Sequence, residues 1–230
     1  MSAAPELAQL NATISTCRLC PRLVEWREKV ARDKRKAYRD QDYWGQPVPG
    51  FGDPQARVFT VGLAPGAHGS NRTGRQFTGD ASGSFFYPAL YRAGFASQPD
   101  SVSRFDGLTL ADAYTAPVCR CAPPDNKPTP DEMLNCQPFL AAELRFIQPK
   151  VIVVLGRIAF DSILRIYSLR NQGWKFAHGA VFPLPNSEFC LPNSSLVCSY
   201  HPSQQNTQTG RLTVEMFDQV WKTARELLER

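Results

Sequence analysis

The chain has 230 residues, of which 43% are hydrophobic and 20% charged, and its net charge is +5. That size suits one globular domain with a buried core, so we expect a single domain over residues 1–230. No apolar run approaches the roughly 20 residues that span a bilayer, and the start lacks the basic and apolar segments of a signal peptide. A membrane protein is therefore excluded, and we expect a cytoplasmic protein.

The first 45 residues are predicted to be helical. Leu7, Leu10 and Ile14 have the spacing of one helix face, and a cysteine-containing turn closed by Pro21 follows them. A long polar helix is expected from about residue 23 to residue 39. The segment 22–40 holds eight basic and four acidic residues. This segment suits a polyanionic partner, although a solvated helix face has the same pattern.

Four short apolar runs are candidate strands, and they alternate with segments of helical spacing. The runs are ARVFTVG, LADAYTAPV, KVIVVLG and SLVCSY, and the clearest helices are CQPFLAAELRFIQP and RIAFDSILRIYSL. This alternation predicts an α/β fold with a parallel sheet covered on both faces. Ligands bind at the carboxyl ends of such strands, so we expect the functional residues in the loops that follow them.

The loop after the first predicted strand reads GLAPGAHGSNRTGRQFTGD, residues 62–80. It fails the phosphate-loop pattern, because Arg75 and Gln76 stand where Lys and Ser/Thr are required, and its glycines lack the dinucleotide spacing. Its backbone amides and arginines suit a phosphate chain, and Phe77 and Asp80 add an aromatic ring and a carboxylate. Such groups bind a nucleic-acid backbone, stack a flipped base and position a water. A helix cap is the alternative role for Asp80.

His201 ends the last predicted strand, in the sequence SYHPSQQN. There it is expected to face the same crevice as the glycine-rich loop, because both loops follow strands of one parallel sheet. A structural hydrogen bond is its simpler alternative role.

The cysteines suggest a metal centre. Cys17 and Cys20 form a CxxC turn, and Cys121 and Cys136 are separated by fourteen residues. Four thiolates are the usual complement for zinc or an iron-sulfur cluster, and the wide second pair favours a 4Fe-4S cluster. Cys119 is an alternative ligand to Cys121, and small buried side chains are the alternative to metal binding. We expect a structural centre that attaches the first helices to the sheet.

Together these features resemble the uracil-DNA glycosylase superfamily, most closely its type-5 iron-sulfur members, also called family 5 or b-type. Gly62-Leu-Ala-Pro-Gly66 matches the first motif of the superfamily, and His201-Pro-Ser203 matches the second. The cysteine pairs match the cluster ligands, and CAPPDNKPTP matches the middle loop. Over residues 7–226 the resemblance implies a central four-stranded parallel sheet flanked by helices. It also implies a 4Fe-4S cluster and the excision of uracil from DNA by base flipping, which leaves an abasic site.

The resemblance further implies roles for individual residues. Leu63 stands where many members place a polar residue that orders water, which transfers that role to Asp80 with Asn126 as a polar partner. His201 would donate a hydrogen bond to a uracil carbonyl as negative charge develops on the base. The base-binding residues would be Gly62, Ala64, Gly66 and Phe77, and the DNA-binding residues His68, Ser70, Asn71, Arg72, Thr73, Arg75, Ser203, Asn206 and Arg211.

An apolar, roomier pocket also predicts activity on other deaminated bases such as hypoxanthine. We expect a monomer that acts in a bacterial or archaeal cytosol. Two alternatives remain at this stage. One is an iron-sulfur protein that recognises DNA damage without excising the base, and the other is a zinc enzyme that acts on free nucleosides.

Overall fold

The computed structural model describes residues 4–230. The helices are α1 (Ala4–Ser15), α2 (Pro21–Asp33), α3 (Ser70–Thr73), α4 (Gly83–Arg92), α5 (Pro130–Ile147), α6 (Arg157–Ile166), α7 (Gln204–Gln208) and α8 (Val214–Leu228). The strands are β1 (Phe51–Gly52), β2 (Val58–Gly62), β3 (Ala113–Pro117), β4 (Val151–Leu155), β5 (Val181–Pro183) and β6 (Ser195–Ser199). Two short 3₁₀ turns cover Lys36–Tyr38 and Pro124–Asn126.

The strands form one mixed sheet in the order β1-β3-β2-β4-β6-β5. The inner strands β3, β2, β4 and β6 are parallel and correspond to the predicted apolar runs. The edge strands β1 and β5 pair antiparallel with β3 and β6. The prediction of four strands is therefore wrong, because the described residues form six. The edge strands are two and three residues long and contain Gly52 and Pro183, so no periodic pattern reveals them.

Each inner strand sends alternate side chains to opposite faces of the sheet, as the twofold period of a strand requires. Phe59 and Val61 of β2 belong to a core with side chains of α1, α5 and α6. Val58 of the same strand and Val153 of β4 belong to a second core with α4 and α8. The strands β2, β3 and β4 are buried throughout, which explains why their sequences read as continuous apolar runs.

The amino-terminal helices follow the prediction except at one boundary. Helix α2 ends at Asp33, short of residue 39, because Lys34 adopts a left-handed φ of 51° that an α-helix does not accommodate. Arg22 joins α2 to α5 through a bidentate ion pair with Glu132, with both nitrogen–oxygen distances at 2.8 Å. Glu132 also completes a capping box with Thr129 at the start of α5. The helical segment is thus attached to the sheet layers by its own side chains.

The sheet has a topological switch point between β2 and β4. The chain leaves β2 towards β3 on one side, whereas it leaves β4 towards β6 on the other. The loops that follow β2 and β4 therefore diverge and open a crevice at the carboxyl edge, where ligands of such sheets bind. None of the helices within residues 4–230 is long and apolar enough to cross a membrane.

Candidate active site

Two loops dominate this carboxyl edge. The first loop, residues 62–82, follows β2, and the second loop, residues 200–213, follows β6. The end of β4 lies beside the second loop, since a Cβ atom placed on Gly156 would lie 3.5 Å from the Cβ of His201. The two loops carry the sequence motifs, so the sheet brings both motifs to one crevice.

Phe77 is held at the centre of the first loop in a constrained conformation. Its φ is 51°, in the left-handed region that an aromatic residue seldom adopts. Its ring stacks on Phe86 of α4 with centroids 4.3 Å apart and planes 24° apart. A Cβ on Gly62 would lie 2.9 Å from Cζ of Phe77, so glycine at the end of β2 makes room for the ring. Sequence reasoning missed Phe86, although its place in the aromatic-rich segment that directly follows the loop was a signal.

Asp80 lies at the end of the first loop, folded back against its start. Oδ1 accepts a hydrogen bond from the Gly83 amide at 3.0 Å, so the carboxylate does cap the start of α4. A Cβ on Gly69 would lie only 1.9 Å from Oδ2, so that glycine is needed for the carboxylate to approach. Burial raises the pKa of Asp80, and backbone amides and the charge of Arg72 partly oppose the rise. The group therefore combines a cap with a desolvated carboxylate.

His201 faces Phe77 from the second loop, with ring centroids 6.1 Å apart. Its residue keeps some solvent exposure, yet surrounding protein atoms desolvate the ring and lower its pKa to about 4. The imidazole is therefore neutral at pH 7 and carries a single N–H donor. The Asn206 side-chain amide donates to the His201 carbonyl at 2.9 Å and orients this backbone. Phe77 and His201 thus form an aromatic face and a neutral donor in one place.

The polar side chains of the first loop mostly point into the protein. Arg75 pairs with Asp106 at 2.7 Å, with side chains only 4% and 7% exposed. Arg72 donates to the carbonyls of His68 and Gly79, both at 2.8 Å. The buried members of the predicted DNA-binding set are Ser70, Asn71, Arg72, Thr73 and Arg75.

Because these side chains are buried, contacts of residues 70–75 with a DNA backbone, which remain a prediction, would come from main-chain groups. The loop has few apolar side chains, so its polar side chains satisfy backbone groups and hold its shape. His68 is more accessible, and its Nδ1 lies 3.0 Å from the Tyr43 hydroxyl. Of this part of the loop, His68 keeps a surface position from which it can meet a ligand.

The second loop presents its side chains differently. Ser203 caps α7 by accepting a hydrogen bond from the Asn206 amide at 3.4 Å. Arg211 is exposed, and its guanidinium carbon lies 4.7 Å above the centre of the Tyr200 ring. Leu212 is 1% exposed and anchors the end of the loop in the core. Arg211 is therefore an exposed positive charge at the rim of the crevice.

Asn126 lies in the exposed 3₁₀ turn that follows β3, with a φ of 56°. No hydrogen bond joins its side chain to Asp80 in the described part of the chain. The structure thus places the Phe77 and His201 rings 6.1 Å apart, with Asp80 three residues after Phe77 in the same loop, whereas Asn126 occupies a separate turn at the same edge of the sheet.

The cysteines of the two predicted pairs approach one another between α2 and α5. Cys119, Cys121 and Cys136 are buried around Leu23, and Cys20 packs against them. The sulfur atoms of Cys119 and Cys136 are 3.9 Å apart. Within residues 4–230, no three His, Cys, Asp or Glu side chains are arranged as a preformed metal site. The cysteines are thus close neighbours without a preset ligand geometry.

A buried arginine beside the cysteines bears on whether their thiols suit a metal centre. Arg27 is 2% exposed, and its Nη1 donates to the Cys121 sulfur at 2.9 Å, while its Nε has no partner. Among described residues its ion pair is with Glu28 alone, 3.8 Å away, and that side chain is 38% exposed. A buried guanidinium is costly without nearby negative charge, which thiolate ligands would supply. The soft sulfur donors and this buried cation fit an iron-sulfur cluster or zinc.

The cysteine region also contacts the first loop. The Ala64 side chain packs against the cysteines, and the Cys119 amide donates to the Leu63 carbonyl at 2.9 Å. The side chain of Ala64 therefore lies against the cysteines, so a base contact by Ala64 would involve its backbone. Whatever holds the cysteines in place thus supports the first motif.

Comparison with known proteins agrees with this arrangement. Residues 49–225 match the family model described as the uracil DNA glycosylase superfamily. The type-5 uracil-DNA glycosylase of Thermus thermophilus is 53% identical over 216 residues, which cover 94% of this chain and 95% of that protein. The type-5 enzyme of Pyrobaculum aerophilum is 43% identical, with 90% and 87% covered. The type-4 uracil-DNA glycosylase of Archaeoglobus fulgidus is 31% identical, with 68% and 70% covered. The chain therefore belongs to the uracil DNA glycosylase superfamily.

Proposed function

We propose that this protein is a monofunctional DNA-repair glycosylase that hydrolyses the N-glycosidic bond of uracil in DNA and leaves an abasic site. The observation that carries the proposal is that the rings of Phe77 and the neutral His201 face each other with centroids 6.1 Å apart, while the desolvated Asp80 carboxylate lies in the same loop as Phe77. The same activity is supported by the relatives at 43–53% identity, which are type-5 uracil-DNA glycosylases.

The base must leave the duplex to reach this crevice, because Phe77 is only 8% exposed and its ring faces the second loop. We infer that the flipped uracil stacks on the Phe77 ring, whose other side is backed by Phe86. Gly62 and Gly66 contribute to base binding by leaving space. The absence of a side chain at Gly62 makes room for the Phe77 ring, and its absence at Gly66 makes room for the Asp80 carboxylate.

His201 stabilises the leaving group. As the glycosidic bond breaks, its electron pair moves onto uracil and the sugar becomes an oxocarbenium-like cation. A neutral imidazole N–H donates to a uracil carbonyl oxygen more strongly as that oxygen gains negative charge. Because the pKa of His201 is about 4, the ring does not itself deliver a proton at pH 7.

Asp80 handles the water. The water oxygen bonds to C1′ of the sugar, and the proton it loses passes through the Asp80 carboxylate to the departing uracil anion. Leu63 offers no polar group for this purpose. An electron-deficient sugar needs little nucleophilic help, so one partly desolvated carboxylate is sufficient. We propose Asn126, in the exposed turn after β3, as a second polar group that orders this water.

The apolar Leu63 leaves the pocket with few groups that reject a wrong base. We therefore propose that hypoxanthine and other deaminated bases are also released, at lower rates than uracil. An enzyme that releases uracil but no detectable hypoxanthine from matched oligonucleotides would contradict this extension.

We propose that Cys17, Cys20, Cys121 and Cys136 hold a 4Fe-4S cluster, with Cys119 as the alternative to Cys121. The cluster, when bound, supplies structural cross-linking between α2, α5 and the strand that precedes the cysteines, and no redox step is needed for hydrolysis. Visible absorbance separates the cluster from zinc, since a cluster makes the protein brown and zinc leaves it colourless.

The decisive experiment uses a labelled oligonucleotide with one uracil and a control with thymine at the same position. After incubation, alkali breaks the strand at an abasic site. Breakage of the uracil strand alone supports excision. A gel shift without breakage would replace our proposal with the alternative, an iron-sulfur protein that recognises damage in DNA. Size-exclusion chromatography tests our further proposal that residues 1–230 act as one domain and as a monomer, and we place this activity in the cytoplasm.

A further inference from the structure

A groove beside the first loop has no part in the chemistry described above. Its volume is about 520 Å³, and it lies between the segments 41–44 and 102–105. Both walls are bonded to the first loop. The Trp44 amide donates to the Arg72 carbonyl at 2.8 Å, and the Gly79 amide donates to the Ser101 carbonyl at 2.9 Å. We call it the aromatic groove and define it by Trp44, Arg72, Val102, Arg104 and Phe105.

The walls of the aromatic groove expose flat apolar and cationic surfaces. Phe105 is 82% exposed and Val102 is 63% exposed, which is unusual for large apolar side chains next to each other. The Arg104 guanidinium lies 4.6 Å from the Trp44 ring centre and 4.7 Å from the Phe105 ring centre. This ladder of two rings and a planar cation presents faces of the kind on which nucleic-acid bases stack.

The charge around the aromatic groove is positive. Arg72 and Arg104 line it together with Asp42, which is the only carboxylate among its described lining residues. Next to it, burial lowers the pKa of His68, and the nearby charges of Arg35 and Arg72 lower it further. Positive charge around exposed rings favours a polyanion with aromatic bases over a protein surface.

The aromatic groove adjoins the segment of the first loop that carries Asp80. Arg72 forms part of its lining and also donates to the carbonyl of Gly79, which directly precedes Asp80. A strand that enters the crevice with a flipped nucleotide therefore has the groove within reach of its neighbouring nucleotides.

We propose that the aromatic groove binds an unpaired stretch of the DNA strand next to the flipped nucleotide. Its bases stack on Phe105, Arg104 and Trp44, and its phosphates lie near Arg35 and His68. The proposal rests on the proposed function and names a feature of the substrate: a single-stranded flank adds binding energy that a short or fully paired flank does not.

The test compares Phe105→Ala and Arg104→Gln with two control variants, Tyr91→Ala and Arg145→Gln. Tyr91 and Arg145 lie near the ends of α4 and α5, at the opposite edge of the sheet, and both are exposed. Fluorescence anisotropy measures the affinity for a long single strand, a trinucleotide with central uracil and a duplex. Single-turnover kinetics at saturation measures the excision rate.

We expect each groove variant to bind the long single strand about tenfold more weakly, because stacking on one aromatic side chain contributes on that scale. Trinucleotide affinity, excision rate at saturation and melting temperature should match the wild type, a pattern that a misfolded variant does not produce. Phe105→Trp should restore binding. A 2-aminopurine base beside the uracil should be quenched by the wild type and by neither Phe105→Ala nor Arg104→Gln.

Equal long-strand affinities for the wild type and Phe105→Ala would overturn the groove proposal, as would equal losses in the control variants. These binding measurements do not depend on catalysis. A wild type that binds the single strand but never releases uracil would sink the proposed function and leave the groove result standing.

Discussion

The first and second loops reach the same crevice but are built in opposite ways. In the first loop the arginines at 72 and 75 are buried and bonded to carbonyls and to Asp106. In the second loop Arg211 is exposed and its guanidinium lies over the Tyr200 ring. The arginines of the first loop therefore hold the shape of that loop, whereas the second loop leaves Arg211 exposed. A motif rich in charged residues is a binding surface only where those residues have no internal partners.

The largest expected effect is a loss of stability when the buried ion pair of the first loop is broken. Arg75→Leu leaves Asp106 buried without its partner. Although burial alone raises the pKa of Asp106, hydrogen bonds from Arg75 and backbone amides hold it well below the usual range. Loss of the arginine should reduce the free energy of unfolding by about 3–5 kcal/mol, measured by denaturant titration.

The matched control for Arg75→Leu is Arg92→Leu, whose ion pair with Asp218 is 45% and 36% exposed. An exposed pair contributes about 0–1 kcal/mol. If both substitutions cost the same, the first loop is not held by its buried charge and the contrast between the loops fails.

His201→Ala should have the next largest effect, on rate rather than stability. Removing a donor to the developing anion lowers the single-turnover excision rate by about a hundredfold to a thousandfold. Gln208→Ala, a change at an exposed residue of the same loop, serves as control and should leave the excision rate unchanged. Equal rates for wild type and His201→Ala would remove the second loop from the chemistry.

Asp80→Asn and Asp80→Ala separate the two roles of that carboxylate. Asparagine keeps the cap on the Gly83 amide but cannot take a proton, so its excision rate should fall roughly tenfold to a hundredfold with stability unchanged. Alanine should lose the same rate and about 1 kcal/mol of stability as well. Full activity in Asp80→Asn would make the residue a helix cap alone.

Arg211→Ala should have a small effect on DNA affinity that depends on salt. One exposed phosphate contact adds about one unit to the slope of log affinity against log salt concentration, and Arg211→Ala should remove it. Anisotropy titrations between low and moderate salt measure the slope. A slope that matches the wild type would mean that Arg211 stays on Tyr200 and meets no phosphate.

The smallest effect is expected from pH. Since the pKa of His201 is lowered to about 4, the neutral ring persists and kcat/KM should be flat from pH 5.5 to pH 8. The folded chain takes up this proton less readily than the unfolded chain, whose histidine has a pKa near 6.5. Stability from this residue should therefore rise with pH between about 4 and 6.5. An inflection in rate near pH 6.5 would show a protonated catalytic histidine instead.

Much of the fold follows from local patterns. The four inner strands are buried almost throughout, so their sequences are largely apolar and can be located from the chain alone. The edge strands β1 and β5 and the early end of α2 depend on pairing partners and on one left-handed residue at 34, which no periodicity indicates.

The candidate site likewise has features that local sequence predicts and features that depend on tertiary contacts. The sequence by itself determined the two motifs, their position in loops that follow strands of one sheet, and the pairs of cysteines, because these depend on residue type and short spacing. Only the tertiary structure decided which charges are free. Arg75 pairs with Asp106, thirty-one residues away, and Arg72 donates to carbonyls of its own loop, while Arg211 has no ion pair within residues 4–230. Whether a polar side chain serves the fold or a ligand depends on what distant segments place beside it.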